Sequence, residues 1–203
     1  MISLTSSAEA AKLLLAGGVG VMPTDTVYGL VACAADPAAV ARLYALKKRE
    51  RKPGPIIAAS VAQLLSLGIA RRHLLQVAHL WPNPISIIMP MPPALHYIEH
   101  ALGGAPVRIP ANTALRQLLE QTGPLLTSSA NQPAKPVATT IIEAYVYFGD
   151  DVDFYVDGGD LSGRAASTII KLHKNGNVDV IREGSVRVTL DAQGKAMLAR
   201  DCH

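Results

Sequence analysis

Aromatic residues are scarce in this chain of 203 residues: two Phe and one Trp stand beside six Tyr. So few rings give little stacking surface for bases, and a core must be built from Ala, Val, Leu and Ile. Cysteine is nearly absent too. Cys33 and Cys202 are too few and too far apart for a disulfide framework or a zinc site. Cys33 stands among small apolar residues and reads as a core residue. No apolar run reaches membrane-spanning length, and Met1–Thr5 has neither a basic n-region nor an apolar h-region, so the expectation is a cytoplasmic protein without a membrane anchor. The common phosphate cradles are missing. There is no G-x-x-x-x-G-K-[ST], and Gly18-Val19-Gly20 meets Pro23 where G-x-G-x-x-G needs its last glycine. Neither G-x-S-x-G nor H-E-x-x-H occurs. The net charge of +3 permits a local basic patch without announcing a nucleic-acid binder.

What is present is a globular composition, 49% hydrophobic and 17% charged, long enough for one sizeable domain. Ser6-Ser7-Ala8-Glu9 is a capping box for a helix that should stop at Gly17-Gly18. Asp36-Pro37 is an N-cap and N1 pair for a helix to about Leu46. Further helices are expected after Ser60, over Arg71 to Leu80, after Asn112 to about Gln121, and from Thr139/Thr140 to near Phe148. Buried strands are expected at Val19 to Met22 (broken by Pro23), Ile56 to Ala59, Ile85 to Met89, Val107 to Pro110 and Phe154 to Val156. Thr168 to Leu172 and Val178 to Ile181 read as a hairpin turning at Asn175-Gly176. Alternating helices and strands plus one hairpin predict a single α/β domain with a mixed sheet, of unreadable strand order. From about Arg187 the pattern is too weak for an assignment, so 187–203 is set apart as a tail from a domain of residues 1–186.

Three strand ends carry small hydroxyls. Leu125-Leu126 leads into Thr127-Ser128-Ser129-Ala130-Asn131, which reads either as a Ser-rich turn or as a place where hydroxyls and bare N–H groups meet a phosphate or carboxylate. Thr24 and Thr26 straddle Asp25, and Ser167-Thr168 follows the small-residue loop Gly163–Ala166. Lys47 to Lys52 places five cations in six positions, either a solvated helix end or a phosphate clamp fixed by Pro53-Gly54-Pro55. Arg108, between Val107 and Ile109, should be buried and so needs an anionic partner, a protein carboxylate or a substrate carboxylate. Arg182 invites the same two readings. Asp150, Asp151, Asp153, Asp157 and Asp160 fit no calcium loop and read as turn and cap residues, and His73, His79, His96 and His100 form no ligand pair. No metal-binding residues are assigned. The residues thus point to a pocket for a small polar substrate and a polyphosphate.

In order, Pro23-Thr24-Asp25-Thr26-Val27-Tyr28-Gly29-Leu30, Lys47-x-Arg49 with Lys52, Trp81-Pro82-x-Pro84, Val107-Arg108-Ile109-Pro110, Ser129-x-Asn131, Ser167-Thr168-Ile169 and Ile181-Arg182-x-Gly184 resemble the YrdC-like family of threonylcarbamoyl-AMP synthases. The resemblance runs from about residue 8 to residue 186. It implies a twisted α/β sheet, flanked by helices, around a basic concave cavity. It implies a nucleotidyltransferase that joins L-threonine, bicarbonate and ATP, with Mg²⁺, into L-threonylcarbamoyladenylate and pyrophosphate. A separate tRNA threonylcarbamoyl-transferase system would then modify the adenosine beside the anticodon. Carried over by position, Thr26, Arg108, Ser129 and Ser167 would hold threonine. Lys47, Arg49, Lys52, Asn131, Thr139 and Arg182 would surround ATP, with Lys47 and Arg49 stabilising the reacting phosphates.

The chain departs from the family pattern in the Arg49–Lys52 loop, one residue shorter than usual, and in Asn83 and Ser86, where Gly and Thr are common. The spacing between Asn131 and Thr139 is also altered. Two other readings stand beside the synthase. One is a non-catalytic module binding tRNA or double-stranded RNA. The other is a carbamoyl-adenylate enzyme with a different carbamoyl source, like related domains in hydrogenase maturation proteins.

Overall fold

Local capping places the helices much where the sequence expects them. The structure, a computed structural model, describes residues 2–48, 53–99 and 103–199. Helix α1 (Ser7–Leu15) starts where the Ser6 hydroxyl accepts from the Glu9 N–H at 3.3 Å, and the chain leaves it through Gly17 at a φ of 86°. Asp36 caps α2 (Pro37–Leu46) by accepting from the Ala38 and Ala39 N–H groups. Ser60 caps α3 (Val61–Ser66), Asn112 caps α5 (Thr113–Thr122) and Thr140 caps α6 (Ile141–Phe148). Each such cap stabilises its helix by about 1 kcal/mol. The stretch expected as one helix over 71–80 divides into α4 (Arg71–Val77) and a 3-10 turn, Ala78–Leu80.

Nine strands among the described residues form one mixed sheet. They are β1 (Gly20–Pro23), β2 (Tyr28–Cys33), β3 (Ile56–Ile57), β4 (Ile85–Met89), β5 (Ala105–Arg108), β6 (Leu125–Ser129), β7 (Phe154–Tyr155), β8 (Thr168–Leu172) and β9 (Val178–Arg182), in the order β7-β1-β2-β6-β3-β5-β4-β8-β9. Pro23 does not break β1 as expected. It is the last residue of that strand, beyond the reach of β7, which pairs only with Gly20 and Val21, so its missing N–H leaves no ladder bond open there. A tight turn follows, closed by the Thr24 N–H on the Val27 carbonyl at 3.0 Å, and β2 returns antiparallel. Strand β2 escaped the sequence reading because five of its six residues are buried, which leaves no alternation to detect.

Side chains alternate across a sheet, and here the two faces are covered unequally. One face, with Leu30, Leu126, Ile56, Val107, Ile87 and Ile170, is buried under Leu43, Leu64, Leu74, Val77, Ile141 and Phe148 of α2, α3, α4 and α6. On the other face, α1 and α5 cover only Met22, Val31, Leu125, Ile57 and Phe154, through Leu14, Leu115, Leu118 and Leu119. The rest of that face carries Gly29, Thr127, Ser129, Pro106, Arg108, Ser86, Ile88, Ile169, Lys171 and Arg182, by register with the covered residues. These are largely polar or small, and among the described residues no helix covers them.

The residues left unassigned from Arg187 onward include a second, two-stranded sheet, β10 (Val188–Leu190) with β11 (Ala196–Leu198). Its Val188 and Ala196 belong to the main core, and the Ala196 carbonyl lies 2.9 Å from His79 Nε2. No helix among the described residues is long and apolar enough to cross a membrane.

Candidate active site

The uncovered part of the sheet holds a cavity of about 140 Å³. Its lining includes Thr127, Ser128 and Ser129 of β6, Pro106 and Arg108 of β5, Ile169 of β8, and Ala166 and Ser167 just before that strand. Thr24, Thr26 and Val27 of the β1–β2 turn close one side, Arg182 at the end of β9 another, and Pro53 and Pro55 a third. Two cations and a set of hydroxyls face the cavity, and no carboxylate is among its described lining residues.

Glycine lets the walls come this close. A Cβ on Gly54 would stand 2.3 Å from the Thr127 carbonyl oxygen, because the Pro53–Pro55 segment crosses β6 and bonds to it from the Pro55 carbonyl, which accepts the Thr127 N–H at 2.8 Å. Gly54→Ala is therefore expected to destabilise the protein by about 1–3 kcal/mol, the usual consequence of overpacking. Urea unfolding measures it, and an unchanged midpoint would show that the segment is loosely held.

Arg108 is the most constrained of these groups. It is 2% exposed. One terminal nitrogen donates to the Thr24 carbonyl at 2.8 Å and the other to the Thr26 hydroxyl at 3.5 Å, while Nε has no partner among the described residues. No carboxylate forms an ion pair with it there. Asp25, which stands between the two residues that accept from Arg108, points its oxygens at the Ala111 and Asn112 N–H groups instead, at 3.0 and 2.9 Å. Burial lowers the Arg108 pKa to about 10; the charge of Asp25 opposes this shift and that of Arg182 adds to it. Of the two partners the sequence allowed, a protein carboxylate is thus missing among the described residues.

Ser167 and Arg182 meet at the opposite wall. The guanidinium of Arg182 donates to the Ser167 carbonyl at 2.7 and 3.2 Å, and burial lowers its pKa. The Ser167 hydroxyl lies 3.0 Å from that of Ser86, a fully buried residue of β4. Beside the cavity, Lys47 is 5% exposed at the end of α2. Its ammonium donates to the Ser129 carbonyl and to Asn131 Oδ1, each at 2.7 Å, and to the Asn131 carbonyl. Asn131 Oδ1 also accepts from the Ser129 hydroxyl at 2.7 Å. The turn after β6 is thus wrapped around a cation.

Of the residues singled out from sequence, Thr26, Arg108, Ser129, Ser167 and Arg182 line one cavity, and Lys47 and Asn131 adjoin it through Ser129. Thr139 stands elsewhere. Its hydroxyl and N–H both donate to the Glu143 carboxylate at the start of α6, and it is not among the cavity lining. Arg49 and Lys52 lie outside the described residues. Thr24, Thr127 and Ser128 also line the cavity; the sequence marked them as hydroxyls at strand ends but assigned them no role, and Ser86, which lies behind Ser167, was not read as a site residue. Ser86 sits in an otherwise apolar strand and was noted only as standing where the family commonly has Thr. Cys33, half-buried with its thiol raised by burial, donates to the Leu14 carbonyl, in keeping with its core reading.

A family model described as "Telomere recombination" (Sua5_yciO_yrdC) matches residues 12–184. A putative threonylcarbamoyl-AMP synthase of Mycobacterium leprae is 33% identical over 92% of this chain and 86% of that protein. A threonylcarbamoyl-AMP synthase of Pseudomonas aeruginosa is also 33% identical, over 84% of this chain and 94% of that one. Among solved structures, P. abyssi Sua5 complexed with L-threonine is similar with a TM-score of 0.78 and 28% identity, over 92% of this chain; the present chain spans 57% of that longer one. E. coli YciO shares the fold, with a TM-score of 0.74 at 22% identity. Since the family match extends across the strands that build the cavity, from β1 to β9, and is backed by relatives one-third identical over most of their length, the chain belongs to the Sua5/YciO/YrdC family.

Proposed function

We propose that this chain is an L-threonylcarbamoyladenylate synthase, a nucleotidyltransferase using L-threonine, bicarbonate and Mg-ATP. The observation that carries the reading is Arg108: a buried guanidinium with no carboxylate partner among the described residues, facing a hydroxyl-lined cavity. A buried, unpaired charge is unfavourable until an anion arrives, and an amino-acid carboxylate fits a planar fork. Relatives named threonylcarbamoyl-AMP synthase, and a Sua5 structure that holds L-threonine, support the choice of amino acid. A cavity of about 140 Å³ suits a small amino acid, whereas pockets for larger ligands run to about 300–1,000 Å³. ATP would therefore extend beyond it, towards Lys47 and the turn at Asn131.

In this scheme Arg108 takes the threonine carboxylate, and Thr26, Ser129 and Ser167 surround the rest of the molecule. The amine adds to the carbon of bicarbonate and water leaves, which gives a carbamate. A carbamate oxygen then attacks the α-phosphorus and the bond to pyrophosphate breaks. Lys47, Arg49, Lys52 and Arg182 supply positive charge along the phosphates, and Mg²⁺ enters on the nucleotide. Such a transfer asks for positioning and charge stabilisation and needs no protein nucleophile. Thr139, an ATP-side residue by resemblance, donates to the Glu143 carboxylate at the start of α6 and is given no role in this scheme. The adenylate would pass in the cytoplasm to a tRNA threonylcarbamoyl-transferase system.

The test is pyrophosphate release from Mg-ATP with threonine and bicarbonate omitted in turn. Release that requires both is the expected result. Release that requires neither would mean a plain ATP hydrolase. Folded protein that releases none, but binds tRNA in a salt-dependent way, would mean an RNA-binding module.

A further inference from the structure

Asp25 is an acidic residue in the turn that holds Arg108, yet it does not pair with it. It is one of three described non-glycine residues with positive φ, at 75°. L side chains rarely adopt that conformation, and Asp does so more readily than most. Its carboxylate receives two N–H donors, from Ala111 at 3.0 Å and Asn112 at 2.9 Å, in the segment that leads from β5 into α5. Asp25 lines two outer clefts and is not part of the cavity lining, whereas its neighbours Thr24 and Thr26 are. Those neighbours are the groups that accept from Arg108. The turn is therefore held from outside by one carboxylate and presents its inner carbonyl and hydroxyl to the buried cation.

We infer that Asp25 is a positioning residue for the amino-acid subsite: its clamp on Ala111 and Asn112 fixes the Thr24–Thr26 turn so that Arg108 is aimed into the cavity for a ligand carboxylate. The geometry has two consequences. Turning Asp25 outward leaves Arg108 open to a ligand, which an inward Asp25 would have paired internally. The charge of Asp25 also lies close enough to favour the protonated form of Arg108, against the repulsion of Arg182. Asp25 acts through Arg108 and touches no substrate.

This inference rests on the amino-acid reading of the cavity, and the test separates the two. Binding of L-threonine and of L-threoninamide, which lacks the carboxylate, is measured by calorimetry for the unaltered protein, Asp25→Ala and Asp25→Asn, with Mg-ATP titrated in parallel. The unaltered protein is expected to prefer threonine over its amide at least tenfold. Asp25→Ala should weaken threonine about tenfold or more, leave Mg-ATP within about twofold, and reduce the preference for the carboxylate towards unity. Asp25→Asn keeps the tolerance for positive φ and one acceptor, so it should fold where Asp25→Ala does not, and lose part of that preference. An intact threonine-to-amide ratio in a folded Asp25 variant would overturn the inference, as would an equal loss for threonine and Mg-ATP, which signals general loosening. If the unaltered protein binds neither threonine nor its amide, the amino-acid reading itself falls, and Asp25 with it.

Discussion

Arg108→Met is expected to abolish threonine-dependent turnover while leaving the protein as stable as before, or up to about 2 kcal/mol more stable. The two effects come from one cause. Arg108 is buried without a carboxylate among the described residues, so the folded state bears much of the desolvation of a charge and recovers only two neutral hydrogen bonds. Methionine fills the linear volume and brings no charge. The bonds to the Thr24 carbonyl and Thr26 hydroxyl are lost at about 1 kcal/mol each, which limits the gain. Threonine affinity should fall by about 30-fold or more, as when one partner of a buried charge pair is removed. Calorimetry and urea unfolding read the two sides separately. A variant destabilised by more than about 2 kcal/mol would show that Arg108 is a structural strut for the turn.

Lys47→Met should behave in the opposite way. Lys47 is nearly as buried as Arg108, but its ammonium is surrounded by the Ser129 carbonyl, the Asn131 carbonyl and Asn131 Oδ1. Its removal leaves buried acceptors facing an apolar side chain and frees the turn after β6. A loss of about 2–4 kcal/mol in unfolding free energy is expected. If the ATP reading holds, turnover should fall about 10²–10³-fold as well, since positive charge and the Ser129–Asn131 geometry go together. Lys47→Arg should not restore it, because a planar fork cannot replace a point charge among three convergent acceptors. Wild-type stability in Lys47→Met would mean that the turn holds its shape without the cation. Two buried cations are thus told apart by their partners: Arg108 has no carboxylate among the described residues, while Lys47 is surrounded by three acceptors.

The residues that line the cavity were largely legible as types, and their partners were not. Arg108 declared itself by standing between Val107 and Ile109 before Pro110, since a charge in a buried strand must be accounted for. The Thr127–Asn131 run declared itself because small polar side chains at a strand end cannot build a core. Thr139 shows the limit of such reading. The sequence offers Thr139 and Thr140 together as a helix start; the structure makes Thr140 the N-cap and gives the Thr139 hydroxyl to the Glu143 carboxylate, a pairing that the residue types alone do not announce. Lys47 is a second case. Within a run of cations it read as one charge among several, yet it is the described one that turns inward, to a strand end 82 residues away in sequence.

By itself, the sequence determined the local structure: where the helices begin, because Ser6, Asp36, Ser60, Asn112 and Thr140 cap within three residues of themselves, and where most strands run, because apolar residues cluster between turn formers. The tertiary structure decided what that local structure is for. The order of the nine strands rests on pairings that cross much of the chain, and no window of sequence encodes them. That order leaves part of one sheet face beyond the reach of α1 and α5, and the hydroxyls of β6, the guanidinium of β5 and the start of β8 meet there. Polarity along a strand is written in its residues; which polar residues share a cavity depends on register and on what the helices fail to cover.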